Sequence, residues 1–215
     1  MARPSRNVDR LLLRAGLELF PETGAARLSV RKVAARAGVN LGMFHYHFRT
    51  KELFVRQLLQ ELYDEMFASL ELAASSRRPL AALRGALNVL GRFARDNARV
   101  LRRLLADALA NDPLAVEFLR ANMPRHIGVI LGLIVSGQRA GTLRRMAPPQ
   151  ALVFLAGSVA VPVILAPMLS ERELVPGVTA GVAALIASDE AIAERVDCAL
   201  AGLATRRARP PRKAR

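Results

Sequence analysis

Between Ser29 and Lys51 the chain concentrates side chains that donate hydrogen bonds or carry positive charge: Ser29, Arg31, Arg36, Asn40, His45, Tyr46 and Lys51. Such groups suit phosphate oxygens and the edges of bases. They do not form a catalytic constellation. The histidines are His45, His47 and His126, and the chain has no HExxH, no phosphate loop and no GxSxG. His45 and His47 stand at i and i+2, which point apart on a helix, so no metal site is expected from them. No catalytic residue and no cofactor is expected.

Two short helices must hold these groups. Ser29 is a good N-cap, and Val33, Ala34 and Ala37 form an apolar stripe on a helix that also carries Arg31, Lys32 and Arg36. Ala34 is small where a second helix must approach. Gly38 can take the positive φ of a sharp corner, and Asn40 can cap a second helix over Leu41 to His47, held by Val39 and Phe44. This is the spacing of a helix-turn-helix whose second helix enters the major groove of DNA. Leu41 and Met43 could touch thymine methyl groups, and Gly42 would let the backbone approach the groove closely.

The run Val33-Ala34-Ala35-Arg36-Ala37-Gly38-Val39, the cluster His45-Tyr46-His47-Phe48 and then Lys51-Glu52-Leu53 resemble the DNA-binding domain of the TetR family of bacterial regulators. The likeness covers Asp9 to Leu53. His45 stands where the family usually has tyrosine, with the aromatic displaced to Tyr46. The resemblance implies that Lys51, near a helix start, meets a phosphate. It also implies a homodimer on a palindromic operator in double-stranded DNA, and a small-molecule effector held among the later helices. A repressor released by that effector, in a bacterial cytoplasm and on the nucleoid when bound, is the function implied.

The charge distribution agrees with a DNA-binding head. The net charge of +14 is concentrated at the two ends of the sequence. Residues 1–51 hold 10 Lys or Arg against 3 acids, residues 206–215 hold 6 against none, and the stretch between is nearly neutral. A basic head on a neutral body is what attraction to a phosphate backbone predicts. The terminal segment is expected to be disordered, serving either non-specific DNA attraction or solubility. Cys198 is the sole cysteine, so no internal disulfide forms and a reducing compartment fits. It is expected to be a buried, inert thiol. The N-terminus is not expected to be a secretory signal, because Arg14 and Glu18 interrupt its apolar run.

The remaining periodicity is helical throughout, with no period-2 run. A first helix over residues 9–20 should end at Pro21 to Gly24, and Thr50 should cap a fourth from Lys51 towards Ala74. Further helices are expected over 80–95, 99–110, 112–140 (kinked or broken at Pro124), from Pro148, and over 189–204. The expected fold is all-α with about nine helices. Its organisation is a helix-turn-helix domain over 1–50, a ligand-binding and dimerisation domain over 51–205, and a basic tail over 206–215.

Met146 to Ser170 carries no charge over 25 residues, long enough to span a bilayer. Four prolines, with Gln150 and Ser158, argue instead for a helix buried at a dimer seam, where Ala156, Gly157, Ser158 and Ala160 permit close approach. Under this reading the protein has no membrane partner. Phe93, Phe118, Met123, His126 and Phe154 are the candidate effector contacts, with Arg99 or Asn122 as polar anchors. With no tryptophan in the chain, an apolar effector is expected. Two alternatives stay open: a sequence-indifferent architectural DNA binder, and a regulator anchored in a membrane through 146–170.

Overall fold

The computed structural model describes residues 6–171 and 180–205. The described residues form ten helices: α1 (Arg6–Arg27), α2 (Val30–Arg36), α3 (Leu41–Phe48), α4 (Lys51–Ala74), α5 (Pro79–Asp96), α6 (Ala98–Leu109), α7 (Pro113–Arg139), α8 (Pro148–Glu171), α9 (Ala180–Ala187) and α10 (Asp189–Leu203). The all-α expectation holds. The helix beyond the expected nine is α9, too short for its period to stand out in an apolar stretch. The tail 206–215 lies outside the described residues.

The interruption of α1 falls at the far end of the expected interval, and α7 is unbroken. Helical geometry continues past Pro21 and reaches Arg27, with the kink at Gly24 (φ 65°, ψ −177°). Pro21 sits within the helix, and the break falls where glycine alone readily adopts the backbone angles. Of the kink or break expected at Pro124, the break is absent, since α7 runs through it over nearly the expected span. Nearby, the Tyr63 hydroxyl of α4 donates to the Asn122 carbonyl at 2.7 Å. Cys198 is exposed, because the buried side of α10 is taken by Ile192, Val196, Ala199, Leu200 and Leu203.

Caps set most other boundaries. Thr50 accepts from Leu53 N–H at 3.2 Å, Asp112 from Ala115 N–H at 3.0 Å and Ser188 from Ala191 N–H at 3.1 Å. Helix α7 closes at Gly141 (φ 67°), where Gly141 N–H reaches Gln138 O and Thr142 N–H reaches Gly137 O. An isolated bridge between Leu143 and Ala204 then ties the α7–α8 connection to the end of α10.

The buried side chains fall into two principal clusters. The first joins Leu12, Leu13 and Phe20 of α1, Val33 of α2, Phe44 and Phe48 of α3, and Phe54, Val55 and Leu58 of α4, with Val100 and Leu104 of α6. The second joins Tyr63, Met66 and Leu70 of α4 to Leu83 and Leu87 of α5, Ile130 and Ile134 of α7, Leu155 and Val159 of α8, and Val196 and Leu200 of α10. Helix α4 contributes its first half to one cluster and its second half to the other. Where α1 crosses α4, a Cβ on Gly16 would collide with Leu58 and lie 2.6 Å from the Phe54 ring. Gly16→Val should therefore destabilise the protein by about 1–3 kcal/mol through overpacking, seen as a lower urea midpoint with an unchanged slope.

Candidate nucleic-acid interface

Helices α2 and α3 form the corner expected from the sequence. Ser29 caps α2 through Lys32 N–H at 3.4 Å. The corner is a Schellman closure: Val39 N–H donates to Ala34 O at 3.0 Å and Gly38 N–H to Ala35 O at 3.2 Å, with Gly38 at φ 69°. Asn40 then caps α3 by accepting from Met43 N–H at 2.9 Å. Its amide oxygen is engaged in the fold, so Asn40 positions the reading helix and keeps its NH2 as the free donor. Phe44 and Phe48 turn inward, their rings 5.1 and 4.9 Å from that of Phe54, and anchor α3 on α4.

The opposite face of α3 meets solvent. Gly42, His45 and Tyr46 are exposed, Tyr46 at 65 %, while Leu41 and Met43 are half-buried. Leu41 packs against the head core, leaving Met43 as the less constrained apolar side chain of the pair. His45 directs Nδ1 towards Arg49 O at 3.3 Å and its ring edge-on to Phe44. His47 has Nε2 buried without a hydrogen-bond partner.

The cations are arranged less simply than their sequence spacing suggests. Arg31 is exposed beside Lys32. Arg36 is paired with Glu18 of α1 at 2.6 Å. Lys51 Nζ donates to Ala26 O at 2.8 Å, across the end of α1. For Arg36 and Lys51, a phosphate contact therefore means exchanging an existing partner. Arg49, which the sequence did not single out, is an exposed cation at the centre of a γ-turn (φ 56°, ψ −55°), with Thr50 N–H on Phe48 O. Its strained backbone sets the angle between α3 and α4. The available sequence signal was position alone, between buried Phe48 and the capping Thr50.

The body holds an apolar cavity of about 350 Å³ walled by α4 to α8. Phe93, Phe118, Met123, His126 and Asn122 line it. Phe154 does not; it stands on the outer side of α8 near Gly202, 44 % exposed. Arg99 lies at the surface, 3.9 Å from Glu22, and is no anchor for the cavity. The polar end combines Tyr63, Asn122 and His126. Asn122 and Gln60 exchange amide hydrogen bonds at 3.2 and 3.3 Å, and His126 Nδ1 lies 3.4 Å from the Tyr63 hydroxyl. Tyr63 was a further contact the sequence did not mark. Burial lowers the His126 imidazole below its ordinary 6.5 and raises the Tyr63 hydroxyl above 10.0, so both face the cavity uncharged at neutral pH. Phe118 and Asn122 also line a more open groove of about 670 Å³ beside His47, Arg49 and Arg56.

A capped helix pair with a polar outer face, backed by an aromatic core, defines a helix-turn-helix DNA-binding protein. Residues 12–58 match the family described as bacterial regulatory proteins, tetR family. The chain is 26% identical to the HTH-type transcriptional regulator RutR of Escherichia coli over 146 residues, 68% of each chain. It is 33% identical to the HTH-type transcriptional repressor Rv3405c of Mycobacterium tuberculosis over 125 residues, 55% of this chain and 61% of that one. The solved ketosteroid transcriptional regulator KstR2 of Mycobacterium tuberculosis shares the fold at a TM-score of 0.70 and 20% identity, over 95% of this chain and 98% of that one. Residues 12–58 thus carry the DNA-binding domain of the tetR family, and the chain is a DNA-binding transcriptional regulator, similar to named regulators rather than to enzymes.

His126 gives the fold a pH dependence. Its folded value lies below the unfolded one, so the unfolded chain binds more protons in that interval and stability rises with pH. Thermal stability should fall as the pH drops below about 6.5, the ordinary histidine value, and His126→Gln should make that fall shallower in a melting series from neutral to mildly acidic pH.

Proposed function

We propose that the protein is a homodimeric repressor that reads a two-fold symmetric operator and is released by a small, mainly apolar effector. The observation that carries this reading is the position of α4. Its first turn bears Lys51 beside the reading pair, and its later turns supply Leu59, Leu62, Tyr63 and Met66 to the apolar cavity. An effector that favours a different tilt of α4 would shift the population of heads able to bind DNA. Two heads must sit about one DNA turn apart to engage successive major grooves, so a small tilt suffices. A relative named a repressor, Rv3405c, and a fold neighbour named a ketosteroid transcriptional regulator, KstR2, support repression and an apolar effector here.

In this reading residues 1–50 are the DNA-binding unit, 51–205 the effector and dimerisation unit, and 206–215 an accessory basic segment. Ser29, Arg31, Arg36 and Lys51 engage phosphates, joined by Arg49. Asn40, Leu41, Gly42, Met43, His45 and Tyr46 face the groove. The effector contacts are Phe93, Phe118, Met123 and His126, with Asn122 and Tyr63 at the polar end. Val153, Val161 and Leu165 are exposed along α8, an apolar face that a second copy would cover. The helix Pro148–Met168 is long and apolar enough to cross a membrane by composition. Its buried Ala151, Leu155, Val159 and Val163 pack into the body, which favours the seam of a cytoplasmic dimer.

Lys51→Ala should weaken binding to every DNA sequence and reduce the slope of log affinity against log salt by about 1; parallel titrations of wild type and variant across salt concentrations measure it. Selection of bound duplexes from random DNA should return a palindrome with half-sites about 10 base pairs apart, centre to centre. Recovery of DNA without a shared site would instead favour the architectural alternative, and partition of the protein into membranes would favour the anchored one.

A further inference from the structure

Asp107, near the end of α6, is a buried carboxylate that the reading above does not use. It is 6 % exposed. Oδ2 accepts from Ala25 N–H at 3.1 Å, across 82 positions of sequence, and Oδ1 pairs with Arg103 one turn earlier on α6 at 2.6 Å. The Ala25 N–H is available because Gly24 leaves helical geometry, with φ 65° and ψ −177°. The fit there is close: a Cβ on Gly24 would collide with both the Asp107 carboxylate and the Arg103 guanidinium. One residue further, Ala26 O is held by Lys51 of α4. The segment Gly24–Ala26 is thus gripped by α6 on one side and by the first turn of α4 on the other, just ahead of the Ser29 cap that starts α2.

Helix α6 also belongs to the cavity wall through Val100, Leu101 and Leu104, and Val100 and Leu104 pack in the core of the head as well. Its C-terminal end is fixed by a Schellman closure, Asp112 N–H on Asp107 O at 2.9 Å and Asn111 N–H on Ala108 O at 3.0 Å. The Asp107 carboxylate therefore moves with the helix. Arg103 Nε is buried without a hydrogen-bond partner, so the ion pair is incompletely satisfied and a modest shift of α6 can rearrange it.

We infer that Asp107 is a positioning residue that couples the cavity wall to the DNA-reading head, by carrying displacements of α6 to the backbone that leads into α2. This route is separate from a tilt of α4, and it rests on the body being the regulatory unit proposed above. An effector that shifts α6 would loosen the carboxylate from Ala25, and DNA on the head would in turn steady α6 by thermodynamic reciprocity.

The test is amide hydrogen exchange of the full-length protein with and without the selected operator duplex. In wild type, operator binding should slow exchange across Val100–Ala108 by about tenfold, a coupling of ordinary size for linked sites. In Asp107→Ala the slowing should persist in α2 and α3 and disappear from α6, even at operator saturation. Asp107→Asn keeps an acceptor oxygen for Ala25 and should retain most of the α6 response, which separates coupling from simple loss of stability. An α6 response that is absent in wild type, unchanged in Asp107→Ala, or lost equally in Asp107→Asn overturns the inference. Absence of operator protection in α2 and α3 of wild type would instead count against the DNA-reading assignment itself.

Discussion

Helix α4 has to be buried in two cores at once. Phe54, Val55 and Leu58 enter the core that shapes the head, while Tyr63, Met66 and Leu70 enter the core of the body. A helix of 24 residues is about 36 Å long, enough to cross both without a break. Full burial of a phenylalanine such as Phe54 contributes about 1.5–3 kcal/mol, so either end leaving its core is expensive. Head and body are thus joined by a stiff element with no linker between them, and movement at one end must appear at the other.

The reading surface follows from that anchorage. Phe44 and Phe48 face Phe54, so the rest of α3 has to present Gly42, His45 and Tyr46 outward. Backbone groups at the corner are satisfied locally by Ser29, Asn40 and the Gly38 closure, which leaves few internal demands on the exposed polar tips. The main cations differ. Arg36 and Lys51 hold Glu18 and Ala26 in the free protein, so the head is preorganised by groups that are also candidates for phosphate. Exposed pairs of this kind are individually weak, which makes exchange of partner inexpensive for Arg36.

The polar end of the cavity is organised around Tyr63. Tyr63 reaches across from α4 to the Asn122 carbonyl and lies within 3.4 Å of His126 Nδ1. The result places three polar side chains at one end of an otherwise apolar space. Burial holds the histidine among them below its ordinary value, so it is uncharged near neutral pH beside the tyrosine, in keeping with the mainly apolar effector proposed above.

Local chemistry alone determined much of the head. The cap residues Ser29, Asn40 and Thr50, the Gly38 corner and the apolar period of α2 and α3 are short-range signals, and each lies where the sequence placed it. The all-helical class was equally legible from periodicity. Other features required neighbours far away in sequence. Within the interval Pro21 to Gly24 it is the glycine, not the proline, that leaves helical geometry, and α7 runs unbroken through Pro124, which could have been a kink or a break. Phe154 reads as interior yet faces outward, because an apolar helix such as α8 has no polar side to reveal which face is buried; Cys198 is also exposed, on the side of α10 away from Val196 and Leu200. Asp107 carries no signal in the sequence at all. Its role exists only because folding brings it against Ala25, where a glycine kink has freed a backbone N–H that water cannot reach and a carboxylate must satisfy.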